Sequence, residues 1–117
     1  MNIEQLKAAG IDYEDGLHRF ADNQRIYEKY LRKLTEVTLL DEARTALQNH
    51  DHETAFDCFH KLKAFVGNLS IPPLYEKVRN LTETLRQGNG SDDDILAQIA
   101  AIEGLFQKII KVIQEEG

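Results

Sequence analysis

The chain has 117 residues, 42% of them hydrophobic, with a net charge of −6 and one cysteine. This suits a single domain that buries about two-thirds of its unfolded surface. An acidic chain with no evident basic cluster is a poor candidate for DNA or RNA, because phosphate neutralisation needs grouped Lys and Arg.

The elements follow in order. Residues 2–9 predict a short helical lead-in, and Asp12 with Asp15 resembles a capping arrangement for a short helix to about Ala21. Asn23 is placed to cap a longer helix, along which Ile26, Tyr30, Leu34, Val37, Leu40 and Leu47 form the expected apolar stripe. Neither Gly nor Pro occurs from 17 to 66, which allows long helices, with the loop signal at "NHDH" (49–52).

Asp51 then starts a helix over about 52–69. Ile71 precedes Pro72 and is disfavoured in the α region, so the chain turns there. Pro72 and Pro73 open the next helix, which carries Leu74, Val78, Leu81 and Leu85 and stops at "QGNG". Ser91 and Asp94 start the last helix, with Ile95, Ile99, Ile102, Phe106, Ile109 and Ile113 along one face. The expected fold is all-α: one domain over 1–117, an antiparallel four-helix bundle with one or two short N-terminal helices.

The stretch "FHKLKAFVGNLS" (59–70) carries the chemistry. With His60 set at zero and about 100° per residue, Ala55, Phe59, Leu62, Val66 and Leu69 fall opposite it as a core face. Lys63, Ala64 and Gly67 surround the imidazole, and Phe56 lies on the same side. A solvent-exposed imidazole is mostly unprotonated and nucleophilic at neutral pH. Lys63, one turn away, can offset the charge of a phosphoryl group on His60. Ala64 and Gly67 are small enough to admit another protein's surface, and Phe56 offers that surface something apolar. With Asn68 they make the expected docking surface. Close helix packing is the other reading of Gly67, and peripheral core the other reading of Phe56.

This segment resembles the histidine-containing phosphotransfer (HPt) domain, whose motif is roughly H-x-L-K-G-x-x-G; His60, Leu62, Lys63 and Gly67 match it. The stretches "GIDYEDGLHRFADNQRIYEKYLRKL" (10–34) and "LYEKVRNLTETLRQG" (74–88) look like the flanking parts of the family. The resemblance implies a phosphorelay intermediate, not an enzyme with ATP-dependent kinase activity. His60 would take a phosphoryl group from the aspartate of one response-regulator receiver domain and pass it to another. Mg²⁺ would sit on the receiver, so no cofactor or metal is expected here. Ala64 departs from the family's usual glycine and puts in doubt which receivers fit closely. Thr82 stands where a polar side chain often approaches the histidine.

A histidine kinase usually has an acidic residue straight after its histidine; here it is Lys61, and no glycine-rich nucleotide loop is present. A helical-bundle metal protein would need inward Glu-x-x-His pairs, and the nearest spacing, Asp57 to His60, faces outward. His50 and His52 bracket Asp51 without a supporting ligand cluster, and Cys58 reads as a buried small hydrophobe. A bundle that docks receivers without chemistry is the alternative function. No run approaches the roughly 20 apolar residues of a membrane span, and the first residues do not resemble a signal peptide. The expectation is a cytoplasmic monomer, either free-standing or the cytoplasmic end of a hybrid sensor histidine kinase.

Overall fold

The computed structural model describes residues 1–116. Its elements are α1 (Ile3–Ala8), α2 (Tyr13–Arg19), α3 (Gln24–Lys33), a 3-10 turn (Leu34–Glu36), α4 (Leu39–Gln48), α5 (His52–Leu69), α6 (Pro72–Gln87) and α7 (Asp92–Glu116), with no strand among the described residues. The 25 residues of α7 should extend about 37 Å at 1.5 Å per residue, close to the molecule's 40 Å long axis.

Local chemistry sets most of the boundaries. The carboxylate of Asp12 accepts from Asp15 N, Asn23 from Ile26 N, and Asp51 from Thr54 N, while Ser91 Oγ accepts from Asp94 N. Each satisfies an amide that the first helical turn leaves without a partner. At the other end of α5, Ser70 takes a left-handed conformation, φ 60°, uncommon for a residue with a Cβ. Its hydroxyl donates to Asp15 Oδ2 at 2.6 Å and its carbonyl accepts from Asp12 N at 2.9 Å. The C-terminus of α5 is thereby tied to the start of α2.

Helix α5 packs on α4 and α6, and α7 packs on both α4 and α6, so these four close a ring of contacts. The predicted apolar faces are inside: Ala55, Phe59, Leu62, Val66 and Leu69 of α5, the four leucine and valine positions of α6, and all six named positions of α7 are buried. Arg44 of α4 pairs with Glu103 of α7. His50 Nδ1 and His52 Nε2 lie 3.0 and 2.6 Å from the two oxygens of Asp92, not on the Asp51 they bracket, and join the α4–α5 loop to the start of α7.

Two expectations fail in the region before α5. The single helix expected after Asn23 breaks at residues 34–38, where Val37 is extended (ψ 127°). Three of the four residues 35–38 are β-branched, which disfavours helix through restricted χ1. Thr35 and Thr38 also turn their hydroxyls to local acceptors, Arg32 O and Glu42 Oε2, competing with the regular ladder. The stripe of α3 is rotated by one residue as well. Tyr27, Glu28 and Leu31 face inward, whereas Ile26 and Tyr30 are 42% and 36% exposed. Glu28 tolerates burial because Tyr13 Oη donates to it at 2.6 Å and Gln24 Nε2 at 3.0 Å. The same bond, after burial itself, pushes the Tyr13 phenol up to about 12.

Candidate functional site

His60 is exposed near the middle of α5, above a buried face formed by Phe59, Leu62 and Val66. One turn earlier, Phe56 is half-buried against the core, and its ring stacks on the imidazole with centroids 5.9 Å apart and planes 22° apart. The two readings of Phe56 are therefore compatible: its inner edge packs while its face supports the imidazole. Stacking restricts the ring of His60 without using either nitrogen.

Its electrostatic setting separates His60 from the other histidines. His50 and His52 both sit on Asp92, and His18 lies 3.8 Å from Asp22. Among the described residues, His60 alone of the four has no carboxylate within 4 Å. A dianionic phosphoryl group is repelled by neighbouring carboxylates and drawn to cations. Lys63 is half-buried one turn on, where i and i+3 side chains are neighbours on a helix.

Lys63, Ala64, Gly67 and Asn68 line one wall of an open cleft of about 460 Å³, opposite Asp12, Asp15 and Arg19 of the α2 region and Tyr75 of α6. Asp15 is engaged by Ser70 and by Arg19, whose Nε lies 2.7 Å away; the Ser70 hydroxyl first, then Arg19, holds its carboxyl below the usual carboxylate range. The cleft was not legible in the sequence, because it depends on how α2 docks against the end of α5.

Gly67 has a packing partner. A Cβ there would lie 3.1 Å from Tyr75 Cε1 and 3.2 Å from Cδ1, so the glycine admits the Tyr75 ring while its outer side faces the cleft. Ala64 and Asn68 are exposed on the same helix. Thr82 is buried, and its hydroxyl donates to Val78 O at 2.7 Å, which directs its proton into its own helix. At the start of α4, Leu40 is buried and Leu39 half-buried. Cys58 is buried, and burial pushes its thiol up, away from the reactive thiolate.

No protein-family model matches the chain, and no curated protein or solved structure matches it. What this site can do is therefore argued from its residues. Among the described residues, no helix is long and apolar enough to cross a membrane.

Proposed function

We propose that the protein is a histidine phosphotransfer module that relays a phosphoryl group between receiver-domain aspartates through phosphohistidine at His60. The observation that carries this reading is an exposed imidazole stacked on Phe56, with no carboxylate within 4 Å among the described residues, a lysine one turn away and small residues around it. The ring of contacts α4–α5–α6–α7–α4 supports an antiparallel four-helix bundle as its frame, with α5 presenting His60 on the outer side.

In the transfer step, the lone pair of an unprotonated ring nitrogen of His60 attacks the phosphorus of a receiver aspartyl phosphate. The N–P bond forms as the P–O bond to the aspartyl carboxylate breaks, and that carboxylate leaves with the electron pair. The proton on the other ring nitrogen then passes to solvent. Onward transfer reverses these bond changes on a second aspartate. Phosphohistidine is a good donor because its leaving group, the imidazole, needs only that proton back. Lys63 offsets charge on the bound phosphoryl, while the receiver provides its own acidic pocket and Mg²⁺.

The test is incubation with a panel of pre-phosphorylated receiver domains, which should give an acid-labile, base-stable label on the protein. A folded protein that binds receivers yet takes no label would sustain the docking-only alternative, and would make Ala64→Gly the next variant to try.

Two variants divide the labour around His60. Lys63→Ala should slow transfer about ten- to a hundredfold, equivalent to about 1.4–2.8 kcal/mol, a common range for one charge-assisted contact. Receiver affinity should change far less; equal losses in affinity and rate would make Lys63 a docking residue only. Gly67→Ala separates packing from access. Alanine gains about 1 kcal/mol of helix propensity, and the half-buried Tyr75 ring has the open cleft beside it into which to tilt. Thermal unfolding should therefore move by only a few degrees, while receiver transfer should fall severalfold. A large stability loss with unchanged transfer would make Gly67 purely a packing residue.

A further inference from the structure

The rotated face of α3 leaves Ile26 and Tyr30 at the surface. Arg25, Lys29 and Lys33 recur every four residues and are all exposed, in line beside Ile26 and Tyr30. Helical spacing puts these five within about 140° of one another, on the side away from Tyr27 and Leu31. The expectation that this acidic chain has no evident basic cluster is thus incorrect locally. Among the described residues, none of the three cations has a carboxylate within 4 Å; the ion pair of α3 is Arg32 with Glu28. The Lys33 ammonium instead lies 5.2 Å from the centre of the Tyr30 ring.

Beside this face is an apolar recess of about 270 Å³ lined by Phe20, Tyr30, Phe65, Asn68 and Leu69. The Phe20 and Tyr30 rings, which both line it, lie 5.4 Å apart. Tyr27 donates to Leu69 O, and Tyr30 lines the recess together with Phe65 and Asn68 of α5. Successive turns of α3 therefore run back along α5 towards His60, where exposed Lys61 adds another cation. Asn68 borders both this recess and the cleft beside Lys63, so the surface is continuous with the candidate site.

We propose that this basic, aromatic face of α3 and its recess anchor the receiver domain, taking an apolar side chain of the receiver that is ringed by carboxylates. The inference rests on the phosphotransfer reading and names what the partner must carry outside its phosphorylated pocket. A concave apolar recess fits an inserted side chain better than a flat lipid surface, and the cations around it supply steering and register. Among the described residues, the fold leaves Ile26 and Tyr30 partly exposed and gives none of these three cations a carboxylate within 4 Å, all on one face of an acidic chain.

The experiment compares wild type with Arg25→Glu/Lys29→Glu/Lys33→Glu and with Tyr30→Ala, each checked by circular dichroism. Direct labelling of His60 by phosphoramidate, a small donor that needs no docking, should stay within about twofold. Binding to, and transfer from, the phosphorylated receiver panel should weaken at least about tenfold, and added salt should weaken wild type more than the charge-reversed variant. Variants that bind and transfer like wild type overturn the anchor while leaving His60 chemistry intact. Wild type that neither binds nor accepts label from any receiver overturns both readings. Charge-dependent sedimentation with phosphatidylserine vesicles, with transfer unaltered in the variants, would assign the face to a membrane surface and overturn the anchor.

Discussion

His60→Gln is expected to give a fully folded protein that takes no phosphoryl group from any receiver. The side chain is exposed and stacks on Phe56. Substitution at such a surface position normally shifts stability by within about 0.5 kcal/mol. Glutamine keeps much of the length and polarity but offers an amide nitrogen whose lone pair is delocalised, so the nucleophile is lost. The other histidines serve as internal controls. His50 and His52 share Asp92, and His18 lies near Asp22; each would carry a phosphoryl group beside a carboxylate. Labelling and circular dichroism on the same preparation check both halves of the expectation. Persistent label on the variant would move the acceptor to one of those three, and unfolding would mean that the Phe56–His60 stack carries far more than a surface contact.

What could be read beforehand follows how locally each feature is determined. The starts of α2, α3, α5 and α7 lie in side chains three residues from the amides they cap, so the sequence displays them directly. The placement of His60 needed only the helical step. The break at 34–38 contains neither Gly nor Pro, the residues whose absence suggests a continuous helix; Thr35, Val37 and Thr38 act instead through χ1 restriction and hydroxyl competition. The inner face of α3 is ambiguous in the sequence, because Ile26 and Tyr30 fit the helical period as well as Tyr27 and Leu31 do. A buried Glu28 disguised the inner face, and its partner Tyr13 belongs to another helix. The cleft beside Lys63, the Tyr75 ring against Gly67 and the recess at Tyr30 all depend on helix-to-helix register, which one-dimensional spacing does not encode.

Gly16→Ala should be the most damaging of the small substitutions, although it lies in an exposed-looking, acidic helix and removes no contact. A Cβ at Gly16 would fall 2.1 Å from the Tyr27 hydroxyl oxygen and 2.2 Å from its ring carbon Cζ. Tyr27 cannot easily yield, because it is fully buried, stacks edge-on with Tyr13 at 5.2 Å and donates from its hydroxyl to Leu69 O at 2.8 Å. That carbonyl belongs to the last turn of α5, where no intrahelical partner remains. Displacing Tyr27 would strand it, and lifting α2 would pull Asp12 and Asp15 from Ser70. Overpacking costs about 1–3 kcal/mol, and an unsatisfied buried acceptor about the same again; the better helix propensity of alanine returns only about 1 kcal/mol. The expected net loss is about 2–4 kcal/mol, or roughly 10–20 °C in Tm for a domain of this size. Adding Tyr27→Phe should not restore stability, because the ring carbons clash as well as the hydroxyl and the Leu69 carbonyl still lacks its donor. Recovery in that double variant would place the whole conflict on the hydroxyl oxygen, and an unchanged Tm in Gly16→Ala alone would mean that α2 does not sit on Tyr27 this closely. Phosphoramidate labelling of His60 in the folded fraction should persist, because α2 walls the cleft beside Lys63 but does not form the Phe56–His60 stack.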